Sequence, residues 1–218
     1  MNHIYEICPM RILVIAPTKS EIEPFKADSK GVEILITGIG VPATIHQLQK
    51  ILQGNATDLV IQAGIAGSFN PEIGLGKVVL VIRDTFGDIG MEEKETFTSI
   101  FQSGFADKDE FPFSNGWLVN SNTIFARSVL PVVSAITVNK VSDSLLQRRQ
   151  SIDNFAPDIE SMEGAAVHYV CLLENVPFIQ IRSISNLVGD RDKGNWEMKK
   201  AILNLNSELV RLLEIVQD

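Results

Sequence analysis

Three polar side chains stand where an apolar run has just ended or is about to begin. Glu21 lies in IAPTKSEIEPF, Glu163 in SMEGAAV and Asn186 in IRSISNLV. A carboxylate in the first turn of a helix is favourable by ~0.3–1 kcal/mol, which accounts structurally for both glutamates. The chemical alternative for Glu21 is a general base that activates water. Glu163 sits among Met162, Gly164, Ala165 and Ala166, so its carboxylate is expected to be short of water and to need partners. The two vicinal hydroxyls of a ribose would suit it, each donating to one oxygen.

Asn186 offers two N–H donors and one acceptor. It reads either as a loop cap or as a reader of a purine edge, and both readings stand at this point. A 6-oxopurine shows two acceptors, N7 and O6, where adenine shows an acceptor and a donor. When the glycosidic bond breaks, a departing 6-oxopurine spreads negative charge onto those acceptors, and amide donors stabilise it. Adenine has no such oxygen, and an acid that hands a proton to N7 serves its departure better. An amide does not hand over a proton, so Asn186 favours a hypoxanthine-like base.

Two further stretches are candidates. Gly64-Ile65-Ala66-Gly67 follows an apolar run and either makes a turn or lets backbone approach a ligand. No Lys or Arg follows it before Lys77, and neither the Walker pattern nor the dinucleotide glycine fingerprint occurs. Gly189-Asp190-Arg191-Asp192 is a surface turn with an ion pair, or else Arg191 meets a substrate carboxylate.

The elements that must position these groups alternate between strand and helix patterns. Continuous apolar runs at 11–16, 32–37, 58–63, 77–85, 132–141 and 177–185 predict buried strands. Helices are expected after Thr18 or Ser20 as caps, from Pro42 onward, over 144–154 with Asp143 as cap, over 162–174 and over 196–216. The stretch 64–68 is expected as a loop, and 86–116, which lacks periodicity, as a flap over a site. The pattern predicts a three-layer α/β/α domain with a mixed, largely parallel central sheet. Ligands in such sheets bind at the carboxyl ends of strands, where Glu21, Gly64–Ser68 and Asn186 all fall. One domain over 10–218 is expected, after a ragged extension at 1–9.

Composition narrows the class. The chain has 218 residues, 45% of them hydrophobic and 21% charged, with a net charge of -8. That charge argues against a nucleic-acid partner. No apolar run reaches the ~20 residues that span a bilayer, so no membrane partner is expected. MNHIYEICPMR lacks the pattern of a signal peptide, and Cys8 and Cys171 read as reduced thiols of a cytoplasmic protein. His3, His46 and His168 are scattered, so neither a metal site nor a cofactor is expected, and His46 and His168 read as structural or surface residues of helices.

Taken together, MRILVIAPTKSE, AGIAGSF, SMEGAAV and IRSISNLV resemble the purine nucleoside phosphorylase and nucleosidase superfamily, over most of the chain from Met10 onward. MEGAA, RSISN and VGDRD, with Trp196 shortly after, resemble its futalosine hydrolase group, enzymes of an alternative menaquinone pathway. Methylthioadenosine/S-adenosylhomocysteine nucleosidases carry an aspartate where this chain has Asn186. Phosphorylases carry phosphate-gripping serine and arginine where it reads Ile61-Gln62-Ala63-Gly64-Ile65. The resemblance implies a nucleosidase that releases hypoxanthine from futalosine, with Glu21 and Asn186 catalytic. It implies substrate contacts from Met162, Glu163, Gly64, Ile65, Ala66 and Ser185. Arg191 is the expected partner of the substrate's benzoate, with Arg127 and Lys140 as other cations. It also implies a homo-oligomer, with a dimer favoured. Methylthioadenosine/S-adenosylhomocysteine or aminodeoxyfutalosine nucleosidase, nucleoside phosphorylase, and a binding module without turnover are the alternatives.

Overall fold

The computed structural model describes residues 10–25, 32–141 and 144–217. His3, Cys8, Asp143 and the extension expected at 1–9 lie outside the described residues. The order is β1 (Ile12–Ala16), α1 (Lys19–Ile22), β2 (Val32–Ile36), α2 (Val41–Gly54), β3 (Leu59–Ser68), β4 (Val78–Phe86), β5 (Gly90–Glu93), β6 (Thr96–Ser99), β7 (Leu118–Val119), α3 (Ile124–Arg127), β8 (Val132–Thr137), α4 (Leu145–Phe155), β9 (Ile159–Ser161), α5 (Gly164–Leu173), β10 (Phe178–Leu187) and α6 (Met198–Gln217).

The α/β class and the mixed sheet are as expected, but the sheet is not an open middle layer. Its order is β10-β4-β8-β9-β3-β1-β2, β7 joins β4, and β10 also pairs with β3, so five of the strands close into a ring. Closure depends on the length of β3 and β10 and on the short β9. β3 pairs in parallel with β10 along its length and, at Gly67 and Ser68, antiparallel with β9. Ala66, Val79, Val81, Val133, Ala135, Ile159 and Ile184, which come from all five ring strands, form one buried cluster. Two alanines among them suit a narrow barrel.

Outside the ring, alternate residues of β1 face opposite ways. Ile12 and Val14 pack with Leu205, Leu209 and Leu212 of α6. Leu13 and Ile15 pack with Leu48 of α2 and with Val167, Val170 and Cys171 of α5. A strand buried on both faces reads as an unbroken apolar run, which is why RILVIA marked it in the sequence.

Four local expectations change. Gly64–Ser68 is not a loop but the second half of β3, since its backbone is claimed by β10 and β9. Asn186 lies inside β10, next to a bulge: Ile184 pairs with Ala66 and Asn186 with Gly67, leaving Ser185 unmatched. Residues 86–116 include a small two-stranded sheet, β5–β6, and none of them lines the main cavity. Ser144 caps α4, accepting from the Gln147 amide at 3.3 Å. His46 is exposed on α2, whereas His168 is fully buried with Nδ1 2.9 Å from the Leu118 carbonyl, and burial pushes its pKa down to about 4.

Candidate active site

α1 begins two residues after β1, so Glu21 turns back over the ends of the neighbouring strands. Thr18 stands at the N-cap position but does not cap with its side chain. Its hydroxyl instead donates to Glu21 Oε2 at 2.6 Å, while the Ile65 amide donates to Glu21 Oε1 at 3.1 Å. Both carboxylate oxygens are thus held, and the side chain is 7% exposed.

Glu163 occupies the N-cap position of α5 and is buried. Its Oε1 accepts from the Gly40 amide at 3.0 Å, and its Oε2 lies 3.7 Å from Arg182 Nη1. Gly40 has φ +90, a backbone shape that favours glycine, which is how this turn can offer its amide. Burial raises the Glu163 pKa, the Arg182 charge and the Gly40 hydrogen bond lower it, and the Glu21 charge raises it again.

Arg182, on β10, is fully buried. Its Nη1 donates to the Ile65 carbonyl at 3.4 Å, while Nε and Nη2 have no partner among the described residues. A buried guanidinium short of hydrogen bonds is costly and is expected beside charges that compensate it. Besides Glu163, the buried Asp84 is such a charge. Asp84 accepts from Thr137 Oγ1 at 3.0 Å and from Gln180 Nε2 at 3.3 Å. Burial raises Asp84 to about 7, against the pull of Thr137, Arg182 and Gln180.

Asn186 is half-buried at the mouth of the ring. Ser185 Oγ donates to its Oδ1 at 2.8 Å, and its Nδ2 donates to the Leu187 carbonyl at 2.9 Å. One N–H of the amide remains for a ligand. Glu160 of β9 stands nearby: a Cβ on Gly67 would lie 3.3 Å from Asn186 Nδ2 and 3.6 Å from Glu160 Cγ. Burial raises the Glu160 pKa to about 7, with Arg191 lowering it and Asp88 raising it.

A cavity of ≈ 430 Å³ joins Glu21, Glu160, Glu163 and Asn186, with Arg182 and Asp84 behind its lining. This is within the range of ~300–1,000 Å³ usual for small-molecule sites. Glu21, Ile65, Ala66, Met162, Glu163, Ser185, Asn186 and Arg191 all line it. Gly64 does not. A Cβ there would lie 2.3 Å from Arg182 Nη1, so this glycine makes room for the guanidinium rather than for a ligand. Pro17, Ile39, Met198 and Ile202 supply an apolar wall. Arg191 is exposed, with its guanidinium carbon 5.3 Å from the Trp196 ring centre. Lys193 lines the cavity as well, whereas Arg127 does not and Lys140 lines a neighbouring one. Arg182, Glu160 and Lys193 were not singled out from sequence. A charged residue in the apolar strand FIQIRSISNL was the available signal for the first. Nothing in the sequence marked the other two. Among the described residues no group of His, Cys, Asp and Glu could hold a metal ion, and no helix is long and apolar enough to cross a membrane.

Relatives among known proteins are named hydrolases and nucleosidases. The chain is 27% identical over 192 residues to a futalosine hydrolase of Streptomyces coelicolor, covering 86% of this chain and 80% of that one. It is 26% identical over 196 residues to a 5'-methylthioadenosine/S-adenosylhomocysteine nucleosidase of Anoxybacillus flavithermus, covering 85% and 81%. Its fold matches the native structure of futalosine hydrolase from Helicobacter pylori with a TM-score of 0.77 at 17% identity, covering 94% of this chain and 97% of that one. Residues 18–217, which contain every group of the cavity described above except Pro17, match the family described as the phosphorylase superfamily, and the chain belongs to it.

Proposed function

We propose that this chain is an N-glycosyl hydrolase that cleaves futalosine and releases hypoxanthine, a step of menaquinone biosynthesis. The observation that carries the reading is the shared cavity: two buried carboxylates, Glu21 and Glu163, at one part of it and a carboxamide, Asn186, at another. The bond from ribose C1′ to the purine breaks through an oxocarbenium-like state, as in glycoside hydrolysis generally. Glu163 takes the ribose hydroxyls, with Met162 packed on the sugar. Glu21 orients a water and accepts its proton as it attacks C1′. Ser185 fixes the orientation of the Asn186 amide, and the free N–H of Asn186 stabilises charge on the leaving base. Ile65 and Ala66 border the substrate, and Gly64 serves it through Arg182. Arg191 takes the benzoate of the substrate. The enzyme works in the cytoplasm as a homo-oligomer, a dimer being favoured.

A second reading has its own support. The nucleosidase of Anoxybacillus flavithermus is nearly as similar as the futalosine hydrolase of Streptomyces coelicolor. Methylthioadenosine, S-adenosylhomocysteine or aminodeoxyfutalosine would then be the substrate. Chromatography of the products from futalosine and from the matched adenine nucleoside, each with and without phosphate, separates the readings. Free hypoxanthine formed without phosphate is expected. A strict need for phosphate would make the protein a phosphorylase, and faster adenine release would support the second reading.

A further inference from the structure

Asn186 can stabilise a departing purine but cannot give it a proton, and the cavity holds two carboxyls with no part in the mechanism above, of which Asp190 already accepts from the Asp192 amide and the Asn195 side chain. Glu160 lines the same cavity from β9, on the strand pairing that sets Gly67 opposite it. Its Cγ, the Asn186 Nδ2 and a Val188 methyl surround one point, the place of a Cβ on Gly67, at 3.6, 3.3 and 3.1 Å. Only a glycine leaves that point clear. Among the described residues no hydrogen-bond donor meets the Glu160 carboxyl. Glu160 is half-buried, and its carboxyl opens into the cavity with no protein donor in place, so a ligand seated there can take that role.

We infer that Glu160 is a general acid of this site, handing a proton to a ring nitrogen of the departing purine while Asn186 holds the adjoining edge. The inference rests on the hydrolase reading and assigns it a further catalytic residue. As the C1′–N9 bond breaks, its electron pair goes to the purine. The proton of Glu160 goes to the base, which leaves neutral, and Glu160 is left as a carboxylate. Water adds to C1′ and gives its proton to Glu21. Solvent then returns a proton to Glu160 and takes one from Glu21, so the turnover consumes only water.

The surroundings suit an acid that works near neutrality. Desolvation holds the Glu160 proton on up to about pH 7. The charged groups sharing its two cavities are Glu21, Glu163, Asp190, Arg191 and Lys193 in the first, and Asp88, Glu92, Lys140 and Arg148 in the second. Arg191 favours the carboxylate and Asp88 the acid. After proton transfer the new carboxylate faces Arg191, which stabilises it.

The test is Glu160→Gln, which keeps size and removes the proton. For the hypoxanthine nucleoside, kcat should fall by ~10²–10⁴, the usual contribution of a general acid, with KM changed far less. In the wild type kcat should decline as pH rises through about 7, because the acid form is the active one, and the variant should lack that decline. A p-nitrophenyl riboside, whose leaving group needs no proton, should lose at least tenfold less activity than the nucleoside. Equal losses on both substrates, or an unchanged alkaline limb, would overturn the acid role and leave hydrolysis standing. A wild-type protein that releases no purine from any nucleoside would instead overturn the hydrolase reading, and the acid with it.

Discussion

Asn186 accepts from Ser185 and gives one of its hydrogens to Leu187, so one N–H donor remains for a ligand. That is what a departing 6-oxopurine needs and what an adenine uses less well. Asn186→Asp should therefore lower kcat/KM for hypoxanthine nucleosides at least tenfold more than for adenine nucleosides, given that one lost donor to developing charge costs ~10²–10³. Equal losses, read from matched substrates, would remove base reading from the amide. At this scale Glu21, Glu163 and Asn186 were legible because a polar residue interrupting an apolar run is informative by itself. Glu160 was not, because its importance comes from Gly67 and Asn186, which β-pairing brings beside it from elsewhere in the chain. Arg182 stood in plain view within β10, yet nothing local tells a buried strand arginine from one on an exposed edge.

Among the elements, β3 shows how a correct segment can carry the wrong explanation. Its AGIAG stretch is poor in side chains, which suggested a turn against a ligand. In the fold it is regular strand, and Gly64 is small because the Arg182 guanidinium lies over it. A methyl at Gly64 would meet Nη1 at 2.3 Å and Glu21 Oε1 at 3.4 Å, and the buried arginine has no solvent to retreat into. Gly64→Ala should thus displace Arg182 from Glu163. The overpacking should cost ~1–3 kcal/mol of stability, and thermal unfolding together with kcat should both report it. If Tm and kcat stay at wild-type values, the arginine is not confined as described. Helix and strand positions were largely readable from periodicity, whereas β9, with three residues, is too short for any periodic pattern.

The molecule as a whole encloses several ionisable groups in and around a closed barrel, and this couples its stability to pH. Burial raises Asp84 to about 7 from an ordinary 3.8. Between those values the folded protein holds a proton that the unfolded chain has lost, so this contribution is full below 3.8 and fades as pH rises to about 7. Glu160 and Glu163, also raised, act in the same direction. His168, lowered to about 4 from 6.5, acts oppositely over that lower range. Comparing urea unfolding of the wild type and Asp84→Asn from pH 4 to 7 isolates Asp84. The wild type should lose stability relative to the variant by about one proton's worth of slope. A difference that is flat with pH would show that Asp84 ionises freely in the fold. The barrel itself was out of reach of the sequence, since closing a ring is a fact about which strands meet, and apolar runs record only that strands are buried.

The unmatched Ser185 has a further consequence. Side chains along a strand point alternately to the two faces, so a single surplus residue reverses the parity of everything beyond it. Removing Ser185 would leave the ladder before it in place but swap which face Asn186 and Leu187 show. A single-codon deletion here thus swaps the chemistry presented at the ring's mouth and turns Val188 out of its buried cluster with Phe69, Ile136 and Val138.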